Sequence, residues 1–431
     1  MAQQGIDRGL GKTVDWWLVL CYLLLVFIGW MNIYASIHST EPSSIFAWSC
    51  RSGKQFVWML TAFGLATLVL FVINPKLWEV ISGPAYAVVL FLLVAVIFVG
   101  SSVKGSHSWF KFGPVSFQPA EISKITTSLV LATLMARNNF SFQRRSDFWK
   151  VAATVALPML IIIAESETGS ALVYVGFIFV MYREGLSGWF LGIIFAAVAL
   201  FILTLKTGIW VSLAVIAAAA LVGLWLVLKN MRPLSRERRR GLRLLLLAVA
   251  GAVLLAFSTS FVFDHVLADH QRGRIEVLLG MKEDPNGLGY NVRQSMIAIG
   301  SGGFAGKGYL RGTQTTYGFV PEQSTDFIFC TIGEEWGFLG CLAVLLLYGL
   351  MITRIIQDAE KSRGAFTRIY GYCLAACLFM HLFINIGMTI GIMPVIGIPL
   401  PFISYGGSSL WAFTVMLFIF IALDRQEKKY F

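Results

Sequence analysis

Long apolar blocks run the length of this chain, separated by short breaks that are charged or rich in glycine and proline. Spanning a bilayer takes about 20 mostly apolar residues, and unbroken runs of that length predict helices that are apolar on every side. Twelve such segments are predicted, at about 16–36, 55–74, 84–101, 119–136, 149–165, 168–182, 187–204, 208–228, 242–263, 325–351, 367–391 and 406–424. The fifth and sixth are divided only by Ser-Glu-Thr-Gly-Ser at 166–170, so they form a tight hairpin.

The composition agrees: 57% of the 431 residues are hydrophobic and 13% charged, against roughly 45–50% and 25% in a soluble domain. Disorder, a coiled coil and an ordinary cytosolic enzyme are excluded. The 34 lysines and arginines outnumber the 23 acids, a net charge of +11. With an inside N-terminus, alternate breaks collect 22 of those 34 cations, and six of the other 12 lie in one long loop. The positive-inside rule therefore puts both termini in the cytoplasm. The basic charge is a topology signal, and no nucleic-acid partner is expected. The first apolar run is long enough to stay as a helix, so no cleaved signal peptide is expected. The six cysteines form no C-x-x-C pair and the five histidines have no metal-site spacing, so no metal site is expected.

The chain is expected to form one integral-membrane domain, 1–431, with a hairpin and basic loop at 187–240 and a large loop at 264–325 on the extracytoplasmic side. A loop of that length in a compact protein is usually functional or disordered. In it Arg272 and Arg274 sit two apart, and Glu283-Asp284-Pro285 runs into Asn286-Gly287. Asp-Pro with Asn-Gly is turn chemistry that presents Asp284 on a bend, either as a working carboxylate or as the cap of the turn. Gln294 and Ser295 head a short amphipathic stretch, and the glycine-rich segment around Lys307 fails the phosphate-loop pattern, which suggests a flexible or tightly turned segment.

Two further constellations fall on the same side. At 104–124, after Trp109, Pro119 and Glu121 match helix-start chemistry. Lys124 shares a helix face with Glu121, as a structural ion pair or a functional one. At 393–409 three prolines and three glycines in an apolar setting suggest a re-entrant or broken segment, with Asn385, Thr389, Ser404 and Tyr405 as polar lining. Asp326, Glu334 and Glu335 add acid at the head of the span at 325–351, where pairing with the helix dipole is the simpler role for Asp326. Cations, acids and bent backbone on one face suit a lipid-linked phosphate with a polar head.

The set HQRGRI, EDPNGLGY, QSMIAIGSGG, GKG, GTQ, STDFIF and GIPLPFISYGGSS resembles the SEDS family (shape, elongation, division and sporulation) of peptidoglycan glycosyltransferases, its RodA-like branch above all. The resemblance implies an all-α polytopic bundle of 10–12 transmembrane helices in the bacterial cytoplasmic membrane. It implies polymerisation of lipid II during elongation and shape maintenance, with inversion at the donor carbon. Asp284 falls on the family's catalytic aspartate, Arg272 and Arg274 on its paired arginines, and Glu121 and Lys124 on its Q-P-S-E-x-x-K. Trp109, Gln294, Ser295, Lys307, Asp326, Glu335, Ser404 and Tyr405 are the other candidates for the substrate cavity. The implied partners are a class B penicillin-binding protein and membrane proteins of the elongation complex. No cofactor is certain, though a divalent cation (Mg or Mn) could share the diphosphate. The chain departs from the family pattern at Ser108, Ala120, Ser166-Glu167-Thr168-Gly169-Ser170 and Gly280-Met281. A flippase of the lipid-linked precursor and a non-catalytic scaffold are the alternative classes.

Overall fold

The computed structural model describes residues 14–38, 44–103, 106–112, 115–230, 235–265, 267, 269–279, 281 and 289–430. The helices that follow the apolar blocks are α1 (Trp16–Ile37), α2 (Arg51–Thr67, widened through Leu68–Val72), α3 (Lys76–Val99), α4 (Pro119–Met135), α5 (Arg145–Ala164), α6 (Thr168–Val173) and α7 (Phe177–Arg183). They continue as α8 (Gly188–Thr207), α9 (Ile209–Asn230), α10 (Arg236–His265), α11 (Asp269–Leu278), α12 (Tyr290–Ser301), α13 (Thr313–Thr316), α14 (Ile328–Lys361), α15 (Ala365–Thr389) and α16 (Gly407–Tyr430). Each of the twelve expected segments falls on one of these helices or, for 168–182, on the broken pair α6–α7. Among the described residues ten helices are long and apolar enough to cross a membrane, and Thr168–Arg183 is a shorter apolar one. The chain is an all-α, multi-pass membrane protein. Helices α10 and α14 run past their apolar stretches to Arg236 and Lys361, because long basic stems can lie along a helix end while their heads reach water.

One element was not expected. Residues 101–117 fold into a small antiparallel meander, β1 (Ser101–Val103), β2 (Ser106–Phe112) and β3 (Val115–Phe117), in that order, with Phe110 opposite Phe117. β1 and β3 have three residues each, too few to show alternation, and Ser-His-Ser-Trp-Phe-Lys-Phe of β2 does not alternate strictly.

Contacts divide the chain into two units, Met1–Gly185 with Asn291–Phe431, and Leu186–Tyr290. In the second, α8, α9 and α10 pack on one another. In the first, α15 and α16 are the most enclosed crossing helices, and α14 packs against both α1 and α15. Helix α1 starts where the Asp15 carboxylate accepts from Trp17 N (2.9 Å) and Leu18 N (3.3 Å), two of the amides that a helix start leaves unpaired. Helix α4 opens with Pro119 in its first turn and Glu121 beside the positive dipole end, as its sequence predicts.

Helix α14 is broken at Gly337, whose φ of +64° suits only glycine without strain. The break leaves backbone groups without helical partners, and the glycine-rich segment after α12 takes them up. Lys307 N and Gly308 N donate to Glu334 O (3.0 Å) and Glu335 O (2.9 Å), while Phe338 N and Leu339 N donate to Gly303 O (2.9 Å) and Phe304 O (3.2 Å). The approach is close enough that a Cβ on Gly302 would stand 1.9 Å from Gly333 O. Residues 301–308 are therefore a strap bonded to the broken helix, the tightly turned alternative rather than the flexible one.

A second close approach sets the packing of α1. A Cβ on Gly29 would lie 2.5 Å from Ile403 Cα. Gly29→Ala should therefore lower stability by about 1–3 kcal/mol through overpacking. Gly64→Ala, with open space at that position, should be neutral or stabilising by up to about 1 kcal/mol. Thermal melts of the two variants in detergent check the pair.

Candidate functional site

Glu121 and Lys124 sit one turn apart on α4, as expected, but the structure encloses them. Lys124 is 1% exposed and Glu121 2%. Lys124 Nζ donates to Glu121 Oε1 at 2.8 Å and lies 2.9 Å from His381 Nε2. The other ring nitrogen, Nδ1, is 3.1 Å from Pro399 O. A carbonyl only accepts, so Nδ1 carries the hydrogen and Nε2 offers its lone pair to Lys124. The ammonium also lies 5.1 Å from the centre of the Phe413 ring. Removing one member of such a pair would leave a buried charge unmatched, at about 3–5 kcal/mol. Lys124 and Glu121, expected at the substrate cavity, are enclosed here, and the pair ties α4 to α15 and to the segment that follows it.

That segment, 393–406, is the broken backbone its prolines suggest, outside any helix. Ile398, Leu400, Phe402 and Ile403 are buried, so the backbone groups need partners from protein. Asn385 Nδ2 donates to Asp326 O (2.9 Å) and Ile398 O (2.6 Å). Ser404 Oγ accepts from Leu400 N (2.8 Å) and donates to Thr325 O (2.7 Å). Tyr405 N donates to Ser324 O (2.9 Å), and Arg51 Nη1 to Ser324 Oγ (2.6 Å). The Tyr348 hydroxyl donates to Pro401 O. Asn385, Ser404 and Asp326 thus converge here, although Ser404 is buried and both its bonds go to the chain itself, while the Thr389 hydroxyl bonds back within its own helix to Ile386 O (2.8 Å).

Beside it, Glu334 holds the Gly-Thr-Gln-Thr stretch. Its carboxylate accepts from three consecutive amides, Thr313 N (2.7 Å), Gln314 N (2.8 Å) and Thr315 N (2.9 Å), and from the Thr315 hydroxyl (2.8 Å). Lys307 Nζ completes the set at 2.7 Å. Lys307 is accordingly engaged by Glu334 rather than free for a ligand. Glu334 caps α13 instead of pairing with the dipole of its own helix. Neither carboxylate oxygen of Glu335 makes a hydrogen bond of ordinary geometry, though both are buried; the Leu310 and Gly312 backbone amides lie by it. Ser295 is buried and donates to Thr389 O at 2.9 Å, while Gln294 is half-buried on α12.

The turn between α5 and α6 carries two acids. Ser108 Oγ donates to Glu167 Oε1 at 2.6 Å, which links β2 to the turn; Trp109, the next residue, is half-buried. Both oxygens of Glu165 are buried without a partner. Burial, and then the neighbouring Glu167 charge, push the Glu165 carboxyl up to about 8.

In the second unit Arg272 lies on α11, where Nε donates to Glu276 Oε1 at 3.0 Å and Nη2 lies 3.5 Å from Asp264 Oδ1. Its guanidinium is 5.0 Å from the centre of the Phe263 ring. Arg274 is on the same helix, and Asp284 lies outside the described residues. Sequence reasoning did not single out His381, Glu165, Arg51 or Ser324 for this face. For His381 a signal was present, since an ionisable residue inside an apolar run is usually paired or functional.

An all-α bundle that folds a proline-rich re-entrant segment, a glycine strap and a buried ion pair toward one face defines a polytopic membrane protein built around a polar, extensively braced site. The chain belongs to the FtsW/RodA/SpoVE cell cycle protein family, whose model matches residues 15–230 and 240–429, including both helices of the 187–230 region. It is 34% identical over 351 residues to the peptidoglycan glycosyltransferase MrdB of Escherichia coli strain K12, covering 81% of this chain and 79% of that one. It is 31% identical to the peptidoglycan glycosyltransferase RodA of Treponema pallidum over 96% of this chain and 98% of that one. A chain of a solved peptidoglycan synthase complex, which coordinates polymerization and crosslinking, superposes with a TM-score of 0.68 at 26% identity, over 96% of this chain and 99% of that one. The rod shape determining protein RodA of Thermus thermophilus shares the fold, with a TM-score of 0.59 at 22% identity over 96% and 98% of the two chains.

The Glu165 carboxyl gives a pH prediction. Between its ordinary value of 4.5 and about 8 the folded state holds a proton that the unfolded state has lost. Stability from this group therefore falls as pH rises through that window and is level above it. Glu165→Gln removes the group, so its melting temperature should match the wild type near pH 5 and exceed it by several degrees at pH 8. Parallel melts across that range test this.

Proposed function

We propose that the chain polymerises lipid II into glycan strands on the outer face of the bacterial cytoplasmic membrane, with both termini in the cytoplasm. It is a peptidoglycan glycosyltransferase of the elongation type; the observation that carries this is the family match along 15–429 together with curated relatives that bear that name. In the proposed reaction the acceptor sugar 4-hydroxyl attacks the anomeric carbon of the donor. The new C–O bond forms as the bond to the diphosphate breaks, so one inversion occurs and no covalent enzyme intermediate is needed. Asp284 takes the hydroxyl proton as general base, which contributes about 10²–10⁴-fold.

The departing diphosphate gathers negative charge, and Arg272 with Arg274 answers it, since an Arg fork matches phosphate oxygens. The Glu276 and Asp264 carboxylates on Arg272 hold its guanidinium in place meanwhile. Within the first unit Lys124 and Lys307 each neutralise a buried glutamate and so fix the irregular backbone around them. No step of the proposal passes through a divalent cation. The coordinated synthase complex among its structural relatives supports a class B penicillin-binding protein as partner, with other elongation-complex membrane proteins beside it.

Purified wild type and Asp284→Asn, each with the class B partner, are given labelled lipid II and the products run on a gel. The wild type should yield a glycan ladder and the variant at least 100-fold less product, with melting temperature and partner binding unchanged. Equal ladders would remove Asp284 from the mechanism. No ladder from either, with the partner active, would favour the flippase or scaffold reading.

A further inference from the structure

At the opposite end of the first unit from the re-entrant segment, the short connection from α4 to α5 closes a cavity of about 200 Å³. Its walls present Arg137, Arg144 and Lys150 against a single carboxylate, Asp147, over an apolar floor that includes Leu134 and Phe140. Elsewhere on that end, four described cations of this unit are matched by acids of the chain. Arg183 pairs with Glu360 (2.7 Å), Arg368 with Glu184 (2.9 Å), Arg354 with Asp15 (2.6 Å) and Lys428 with Asp424 (2.6 Å). Around the cavity the pattern differs. The side chains of Arg137 and Lys150 make no hydrogen bond or ion pair among the described residues. Arg144 reaches only the Asn139 carbonyl, at 2.9 Å. The one acid is turned to the backbone, with Asp147 Oδ2 accepting from Ser141 N at 3.4 Å.

A concave set of unmatched cations calls for an anion with several acceptor oxygens, and a phosphate group supplies them. The surroundings say which kind. Trp149, next to Lys150, is 66% exposed at the start of a crossing helix, the position where tryptophan settles at the level of lipid headgroups. The apolar floor suits the glycerol and first methylenes of a lipid better than a fully hydrated ion. We infer that this cavity binds the phosphodiester headgroup of an anionic phospholipid, on the face that carries the basic loops. The headgroup stands to the cavity's cations as Glu360, Glu184 and Asp15 stand to Arg183, Arg368 and Arg354.

The test is native mass spectrometry of the full-length protein, titrated with phosphatidylglycerol or with phosphatidylcholine. The wild type should retain one phosphatidylglycerol in preference to phosphatidylcholine. Each cation near an anionic headgroup is worth about a fivefold change in affinity, so Arg137→Gln/Lys150→Gln should bind that lipid roughly thirtyfold more weakly. Arg137→Lys/Lys150→Arg keeps the charge and should keep the lipid, which separates loss of the site from loss of the fold. Lys76→Gln/Lys361→Gln removes two exposed cations of the same face outside the cavity and should leave binding unchanged. Equal weakening in that control would overturn the site in favour of diffuse attraction to the basic face. Displacement of the lipid by millimolar inorganic phosphate would overturn the lipid in favour of a free anion. Equal retention of the two lipids by the wild type would overturn both.

Discussion

Backbone polar groups at membrane depth must find partners within the protein, and much of this structure follows from that demand. Two of its segments abandon regular helix: α14 at Gly337, and the stretch from 393 to 406. In the first case the freed groups exchange bonds with the backbone of the strap at 303–308. In the second, side chains of neighbouring elements take the place of a helical ladder, with Asn385 and Ser404 each bonding the chain twice. Irregular backbone, which would elsewhere be loose, is fixed here because every alternative leaves a polar group unmatched.

The same logic governs the charges. Lys124 is held by Glu121, His381 and the Phe413 ring, and Lys307 by Glu334. Each pair joins an irregular segment to a helix: Lys124, through His381, reaches Pro399 of the re-entrant stretch, and Lys307 shares Glu334 with the amides of α13. Buried pairs of this kind add little net stability against apolar replacements, but they are costly to break singly. They are suited to holding one geometry. In the first unit they fix the irregular segments to the helices beside them.

The fold was largely legible in the sequence, because apolar length alone decides a membrane span. Pro119 with Glu121 marked a true helix start, and the prolines after Met393 marked a true break between helices. The relatives place the chain in the family that its motifs resemble. The partners of the cations were less legible. The Glu121–Lys124 pair could be read from its spacing, but nothing in the sequence reveals that Glu334, 27 residues after Lys307, or His381, 257 residues after Lys124, would reach these lysines. The strap at 301–308 allowed two readings, because glycine marks mobility and close packing equally well; only the approach to Gly333 and Gly337 decides between them. The meander at 101–117 and the acid at Glu165 gave no periodic signal. Asp284 keeps its place on the sequence alone.

Amide hydrogen exchange at 302–316 and 393–406 tests this account most directly, in the purified protein with α14 and α15 as internal references. If bonded irregular backbone frames the site, both segments exchange as slowly as the flanking helices, and Glu334→Gln speeds 302–316 while leaving 393–406 unchanged. Exchange of both segments in the wild type at the rate of open loops would contradict it, and would return the strap and the re-entrant stretch to the status of mobile connections.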